Sequence, residues 1–90
     1  MKVCRRCVVS GKVQGVFFRH GTFQKAISLG LTGWVRNLSN GNVECLVCGD
    51  DAAVEQLCQW LHQGPPAAKV NGVVIEEAPL QEFQGFTIVR

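Results

Sequence analysis

The segment Gly11–Arg19, GKVQGVFFR, has two glycines, no acidic residue and an arginine at its end, just before a predicted helix. The N-terminus of a helix has unpaired N–H groups and a partial positive charge. Glycines in the preceding loop allow further N–H groups to turn toward a bound anion, and a guanidinium group matches the oxygens of phosphate. Because a cation is unfavourable at this end of a helix, Arg19 fits best if an anion lies beside it. The segment predicts a phosphate-binding loop, and an ordinary turn with a solvated arginine is the alternative.

Composition restricts the kind of protein that carries this loop. The chain has 90 residues, of which 47% are hydrophobic and 18% charged, and a net charge of +2. These values predict one globular domain over residues 1–90 and give no indication of a nucleic-acid partner. No apolar run approaches the roughly 20 residues of a membrane span, and the N-terminus lacks the apolar core of a signal peptide. We therefore expect a cytoplasmic protein without membrane or nucleic-acid partners.

The elements that position the loop follow from hydrophobic spacing and from glycine and proline signals. Asn40-Gly41 between two apolar runs is a strong hairpin signal. Helical spacing places Phe23, Ala26, Ile27 and Thr22 on one face of the first helix, and Val54, Leu57, Cys58 and Leu61 on one face of the second. The predicted strands are Val3–Ser10, Gly33–Leu38, Asn42–Gly49, Lys69–Glu77 and Gly85–Val89, and the predicted helices are Phe18–Leu29 and a segment from Asp50 or Asp51 to Gly64.

This order of elements predicts a ferredoxin-like α+β sandwich. Two βαβ halves joined by a hairpin form an antiparallel sheet of order 4-1-3-2, with both helices on one face and here a short fifth strand. The first and second strands run in the same direction, so their carboxyl ends lie at one edge of the sheet. That edge also holds the start of the first helix. We therefore expect the Gly11–Phe17 loop to lie close to Asn37.

Two motifs resemble the signatures of the acylphosphatase family. The first is Val9-Ser10-Gly11-Lys12-Val13-Gln14-Gly15-Val16-Phe17-Phe18-Arg19. The second is Gly33-Trp34-Val35-Arg36-Asn37, followed by Gly41, Val43 and Gly49. The resemblance extends from about Val3 to Arg90 and includes the closing Phe86-Thr87-Ile88. Two long motifs in the expected order are far more specific than one glycine-containing loop.

The resemblance implies a hydrolase that cleaves the mixed anhydride of a carboxylate and phosphate, releasing inorganic phosphate. Carried over by motif position, Arg19 binds the phosphoryl group and Asn37 positions the attacking water. The family uses no metal, no cofactor and no covalent intermediate. The phosphate-binding loop would comprise Gly11, Lys12, Val13, Gln14, Gly15, Val16, Phe17 and Phe18.

Three residues near the loop have uncertain roles. Phe17 stands where the family commonly has a small residue, and its bulk could narrow the mouth of the site or alter the motion of the loop. His20 could give the site a pH dependence, although a surface or packing role is the better interpretation. Lys12 could steer anions, but a solvated lysine is the better interpretation.

Four of the five cysteines form two Cys-x-x-Cys pairs, at Cys4 and Cys7 and at Cys45 and Cys48. Residues three apart on a strand point to opposite faces, so four thiolates could not converge on a zinc ion. In an antiparallel pair of strands, the register that opposes Cys4 to Cys48 also opposes Cys7 to Cys45. With Glu44 facing water, Cys7 and Cys45 would be core thiols, and Cys4 and Cys48 would lie on the open face. We expect Cys4 and Cys48 to be close enough for a disulfide under oxidising conditions, and four separate thiols are the alternative.

Other functions compatible with the fold fit the residues less well. RNA-recognition domains share this order of elements but stack bases on aromatic residues of the two central strands, and Val3–Ser10 and Asn42–Gly49 contain none. A non-catalytic anion-binding or regulatory module would not need both Arg19 and Asn37. A related module begins large carbamoyltransferases of hydrogenase maturation, but this chain ends with the module. We expect a free-standing monomeric enzyme whose partners are a small acyl phosphate and inorganic phosphate.

Overall fold

The computed structural model describes residues 1–89. Five strands and two helices follow one another in the predicted order. Because the Asn40-Gly41 turn is short, the second and third strands form a hairpin, whereas the other strands are joined through helices or longer segments. The elements are β1 (Lys2–Lys12), α1 (Phe18–Ser28), β2 (Thr32–Asn37), β3 (Val43–Asp50), α2 (Asp51–Leu61), β4 (Lys69–Ala78) and β5 (Phe86–Val89).

The strands form one sheet in the order β4-β1-β3-β2-β5, which confirms the predicted ferredoxin-like α+β fold. The pairs β1–β3, β1–β4 and β2–β3 are antiparallel. The short β5 adds one parallel pair beside β2, so the sheet is mixed rather than wholly antiparallel. As β5 runs alongside β2, its end reaches the edge of the sheet at which β2 ends.

Both helices pack on one face of the sheet and enclose the core. Val54, Leu57, Cys58 and Leu61 are buried along α2, as the helical spacing predicts. On α1 the buried residues are Phe18, Thr22 and Ala26, whereas the prediction for Ile27 is wrong because its side chain is half exposed. The buried side of α1 is narrow, and it begins one turn nearer the N-terminus of the helix than the prediction has it. No helix within residues 1–89 has the length and apolarity needed to cross a membrane.

The first strand is longer than predicted and includes the start of the proposed loop. Gly11 pairs with Val70 and Lys12 pairs with Lys69, after an irregularity in the β1–β4 register. A Cβ atom on Gly11 would lie 2.2 Å from the carbonyl oxygen of Lys69. The glycine is therefore required by the close approach of β4, and the irregular loop begins only at Val13.

The β1–β3 register is the predicted one, with Cys4 opposite Cys48 and Cys7 opposite Cys45. Cys7 and Cys45 lie in the core on the helix side of the sheet, where Sγ of Cys7 is 3.8 Å from Sγ of Cys58. Cys4 and Cys48 are also buried, although they lie on the other face. The segment at Gln81 covers them there, with Sγ of Cys4 lying 3.8 Å from the carbonyl oxygen of Gln81.

The prediction that Glu44 faces water is wrong. Its side chain lies on the face opposite the helices, but only 3% of the residue is exposed. Nε of Arg6 and Nε of Arg36 donate hydrogen bonds of 2.5 and 2.6 Å to the two carboxylate oxygens. Two half-exposed arginines from the neighbouring strands therefore cover this carboxylate.

Candidate active site

A cavity of about 590 Å³ lies where β1 and β2 end and α1 begins. This is the edge at which the topology brings together the carboxyl ends of the two strands. Arg19 and Asn37 both line the cavity, although they are 18 positions apart in the sequence. The lining residues are Val13, Gly15, Phe17, Phe18, Arg19, His20, Asn37 and Ile88.

The loop backbone supplies hydrogen-bond donors to this cavity. Gly15 has a φ of 74° and Phe17 a φ of 64°, so both adopt the left-handed conformation that turns successive N–H groups to one side. From Gly15 to His20, no N–H group donates to a backbone acceptor within residues 1–89. The first helical hydrogen bond runs from the N–H of Gly21 to the carbonyl of Phe17. The loop and the first turn of α1 thus present unpaired N–H groups where an anion can lie.

The left-handed conformation at Phe17 favours glycine over any residue with a side chain. The side chain of Phe17 is 80% exposed, so it gains little from packing. A bulky residue in this region of backbone space costs on the order of 1 kcal/mol. Gly15 adopts the same conformation, and an added Cβ atom would meet open space there. Glycine is therefore needed at this position for its backbone conformation and not for lack of space. Phe17 lies at the rim and leaves the cradle of N–H groups intact.

The guanidinium group of Arg19 is oriented by the last strand. Its Nη1 donates a hydrogen bond of 3.2 Å to the carbonyl oxygen of Val89. This contact spans 70 positions in the sequence and depends on β5 lying beside β2. The bond uses one of the five N–H donors of the guanidinium group, and the others remain available to a phosphoryl group.

Asn37 is the last residue of β2 and lines the cavity. The Oδ1 atom is buried and has no hydrogen-bond partner within residues 1–89. A buried carbonyl oxygen without a partner costs about 1–3 kcal/mol. Because this acceptor is unpaired in a residue that lines the cavity, Asn37 is suited to bind a polar ligand such as water.

The structure does not bring every residue of the predicted phosphate-binding loop to the cavity. Val13, Gly15, Phe17 and Phe18 line it, whereas Val16 is buried in the core. Gly11 and Lys12 belong to β1, and the Gln14 amide bonds to the β2–β3 hairpin. Gly11, Lys12 and Gln14 therefore do not line the cavity, and the unpaired N–H groups run from Gly15 to His20.

Sequence reasoning missed the contribution of the last strand. Ile88 lines the cavity, and the carbonyl of Val89 accepts a hydrogen bond from Arg19. The strand itself was predicted at Gly85–Val89, and the closing Phe86-Thr87-Ile88 of the resemblance was the signal that could have indicated its place beside the site. His20 also reaches the rim of the cavity, where it is exposed.

The described lining of the cavity has no carboxylate and no thiol. Its chemistry is therefore limited to hydrogen-bond donors, one guanidinium group, one amide and one imidazole. Such a set can hold a trianionic or dianionic group and orient a neutral molecule beside it. Among the described residues, it has no hydroxyl, carboxylate or thiol that could attack as a nucleophile.

A somewhat larger cavity, of about 670 Å³, lies at the opposite end of the sheet. It is formed by the ends of β1, β2 and β3 and by residues 80–83, and it includes Lys2, Asp50 and Glu82. Charges of both signs line it, and Lys2, Asp50 and Glu82 are exposed. Within residues 1–89, its lining has no arginine and no asparagine, in contrast to the cavity that contains Arg19 and Asn37.

Comparisons with known proteins agree with this geometry. The sequence matches the acylphosphatase family over residues 5–88. It is 51% identical to the acylphosphatase of Acaryochloris marina over 88 residues, which cover 98% of this chain and 95% of the relative.

Solved structures give the same result. The fold superposes on an acylphosphatase from Coxiella burnetii with a TM-score of 0.95 and 45% identity, covering 98% of this chain and 93% of that one. For acylphosphatase from Bacillus subtilis, the TM-score is 0.94 with 34% identity, and each chain is covered completely. The sequence and the fold, which contain the N–H cradle, Arg19 and Asn37, thus match those of acylphosphatases along nearly their whole length. The chain belongs to the acylphosphatase family.

Proposed function

We propose that this protein hydrolyses acyl phosphates, with Arg19 and the loop N–H groups binding the phosphoryl group and Asn37 positioning the attacking water. The observation that carries the proposal is the meeting of three features in one cavity: unpaired N–H groups from Gly15 to His20, the Arg19 guanidinium group and the unpaired Oδ1 of Asn37. Membership of the acylphosphatase family supports the same reaction.

The cradle would act by collecting negative charge. The phosphoryl oxygens would accept hydrogen bonds from the N–H groups and from the guanidinium group of Arg19. These donors are fixed by the loop and by the bond from Arg19 to Val89, so they need not reorganise during the reaction. Removing one preorganised donor of this kind typically lowers turnover by about 10²–10³.

Asn37 would hold a water in line with the bond that breaks. A side-chain amide can accept a hydrogen bond from water through Oδ1 and donate one through Nδ2, so it can fix both the place and the orientation of the water. Holding the water in an attacking position removes much of the entropic barrier. The Oδ1 atom has no hydrogen-bond partner within residues 1–89, so it is free to accept such a bond.

The chemistry needs little further assistance because the acyl phosphate is an activated substrate. The water oxygen forms a new bond to phosphorus, and the bond from phosphorus to the acyl oxygen breaks. The carboxylate leaves with that electron pair, and a proton of the water passes to a phosphoryl oxygen. Since a carboxylate is a stable leaving group, no strong general acid is required, and positioning with charge stabilisation suffices.

Hydrolysis of benzoyl phosphate, followed by ultraviolet absorbance, tests this proposal. We expect the wild type to turn over the substrate, and turnover in both Arg19→Ala and Asn37→Ala to be lower by about 10² or more. Circular dichroism should show that both variants are folded. Lys25→Ala and Asn71→Ala are matched controls, because they remove an α1 cation and an exposed asparagine outside the cavity. A folded wild type without turnover would refute the proposal and leave a phosphate-binding module.

Residues 1–90 would act as one catalytic domain, as a monomer in the cytoplasm. Its partners would then be a small acyl phosphate and inorganic phosphate, with no nucleic acid. Family membership supports the substrate, and the chain of 90 residues with a net charge of +2 supports a single domain without a nucleic-acid partner. Sedimentation at several concentrations tests the monomer, and a mass above that of one chain would refute it.

A further inference from the structure

The side chain of Gln14 bridges the phosphate-binding loop and the β2–β3 hairpin. Its Nε2 donates hydrogen bonds to two backbone carbonyls, that of Leu38 at 2.8 Å and that of Asn42 at 2.9 Å. An amide nitrogen carries two protons, so both bonds can exist together. Gln14 therefore directs its donors away from the cavity, which it does not line.

The two acceptors lie on either side of the hairpin turn. The N–H of Leu38 donates to the carbonyl of Asn42 at 2.8 Å, and the N–H of Gly41 donates to the carbonyl of Leu38 at 3.2 Å. The Oδ1 of Asn40 accepts from the N–H of Asn42 at 3.0 Å. The Gln14 amide thus binds to the base of a turn that is held by these three hydrogen bonds of its own.

The sheet itself does not fix the loop against this turn. β1 and β2 are not neighbours, because β3 lies between them. The β1–β3 register ends at the pair Val9 and Val43, before the irregular part of the loop begins. Within residues 1–89, the two bonds from Gln14 are the hydrogen bonds that join residues 13–17 to residues 37–42.

Asn37 is bonded directly to this anchored segment, since Leu38 follows it in the chain. The loop carries the N–H groups that would hold the phosphoryl group, and Asn37 would hold the water. A displacement of about 1 Å between two reacting groups can lower turnover by about 10². A bridge between the two segments therefore fixes the distance between the loop N–H groups and Asn37, on which the attack of the water would depend.

We propose that Gln14 is a positioning residue that sets the distance between the phosphate cradle and Asn37. This inference rests on the proposed function. Gln14 would touch neither the phosphoryl group nor the water, and its effect would pass through Asn37. Its loss should therefore lower turnover without weakening the binding of phosphate.

Gln14→Met is the appropriate variant, because methionine has a similar length and volume but no donor. We expect turnover of benzoyl phosphate to fall by about 10-fold to 10²-fold, with the inhibition constant of inorganic phosphate changing less than about 3-fold. Gln24→Met is the matched control, since Gln24 is exposed on α1 and outside the cavity. It should leave both constants unchanged.

A double-variant cycle distinguishes positioning from general loosening of the fold. If Gln14 acts through Asn37, Gln14→Met should lower turnover by less than about 3-fold once Asn37→Ala is present. Effects that multiply in the double variant would overturn the proposal. So would a loss of phosphate affinity in Gln14→Met that parallels its loss of turnover.

A second substitution covers the case in which Gln14→Met does not fold. Gln14→Asn keeps the amide on a side chain one methylene shorter, so it can reach at most one of the two carbonyls and should give an intermediate loss. Turnover of the folded Gln14→Asn variant at the wild-type level would overturn the inference while leaving the proposed function intact. Absence of turnover in wild type and in Gln24→Met would refute both.

Discussion

The carboxylate of Glu44 is buried against the guanidinium group of Arg36, with 2.6 Å between Oε1 and Nε. The pair joins β3 to β2 on the face opposite the helices, directly beside the strand end that carries Asn37. Burial alone would raise the pKa of Glu44. The hydrogen bonds and charges of Arg36 and Arg6 outweigh it and lower the pKa below the ordinary value of 4.5. Glu44 therefore remains charged, and Arg36, which it binds, does not line the cavity.

This lowered pKa predicts how stability depends on pH. Because the folded pKa lies below the unfolded one, the contribution of Glu44 is complete above about pH 4.5 and is lost as the pH falls through the folded value. We expect Glu44→Gln to lower the free energy of unfolding by about 1–3 kcal/mol near neutral pH. The deficit relative to wild type should shrink in acid. Urea unfolding at several pH values measures both effects.

Glu82→Gln serves as the control for Glu44→Gln, because Glu82 is exposed. It should change the free energy of unfolding by less than about 0.5 kcal/mol at each pH. A deficit in Glu44→Gln that is the same in acid as at neutral pH would show that packing, rather than the charge of Glu44, causes it.

Thiol counting tests the link between Cys4 and Cys48. The structure joins them through a disulfide, with Cα atoms 4.1 Å apart, and leaves Cys7, Cys45 and Cys58 as buried thiols. Burial raises the pKa of Cys45, and a hydrogen bond to Cys58 together with burial raises the pKa of Cys7, so both stay protonated. Air-oxidised protein should show three reactive thiols when unfolded and five after reduction.

Reduction of this disulfide should also lower stability. It closes a loop with a sequence separation of 44, which corresponds to about 2–4 kcal/mol from the restriction of the unfolded chain. Thermal unfolding with and without dithiothreitol measures the difference. The double variant Cys4→Ala, Cys48→Ala is the control and should not respond to the reductant. Five reactive thiols in the unfolded, air-oxidised protein would contradict the prediction.

Phe17→Gly should stabilise the protein because of the left-handed backbone at this position. Glycine removes about 1 kcal/mol of backbone strain but increases the freedom of the unfolded chain, so we expect a net gain of about 0.5 kcal/mol. Phe17→Ala is the matched control, since alanine loses the ring but keeps the strain. Equal stability of the two variants in urea would contradict this explanation. Because the cradle consists of backbone groups, benzoyl phosphate turnover should remain in both.

Inorganic phosphate should compete with the substrate, because it presents the same oxygens to the cradle. We expect its inhibition constant to rise by at least about 10-fold in Arg19→Ala and to change less than about 3-fold in Asn37→Ala, since the amide would contact water instead. Inhibition at several substrate concentrations measures both constants. Equal weakening in both variants would contradict the division of roles. EDTA should leave turnover unchanged, and loss of activity on chelation would contradict a metal-free mechanism.

The sequence alone determined the order of elements, the strand order and the β1–β3 register. Helical spacing at Val54 and Leu57 and the Asn40-Gly41 turn give the order of elements, which in turn indicates the strand order. The equal spacing of the two Cys-x-x-Cys pairs gives the register that opposes Cys4 to Cys48. The loop before α1 indicated Arg19, the resemblance to acylphosphatases indicated Asn37, and the topology predicted that both lie at one edge of the sheet.

The tertiary structure decided what surrounds those residues. Glu44 was predicted to face water, but arginines from two neighbouring strands cover it, and alternation within one strand contains no such information. The bonds from Gln14 to Leu38 and from Arg19 to Val89 span 24 and 70 positions. Contacts of this kind depend on the distances between elements after packing, which no local pattern of residues encodes.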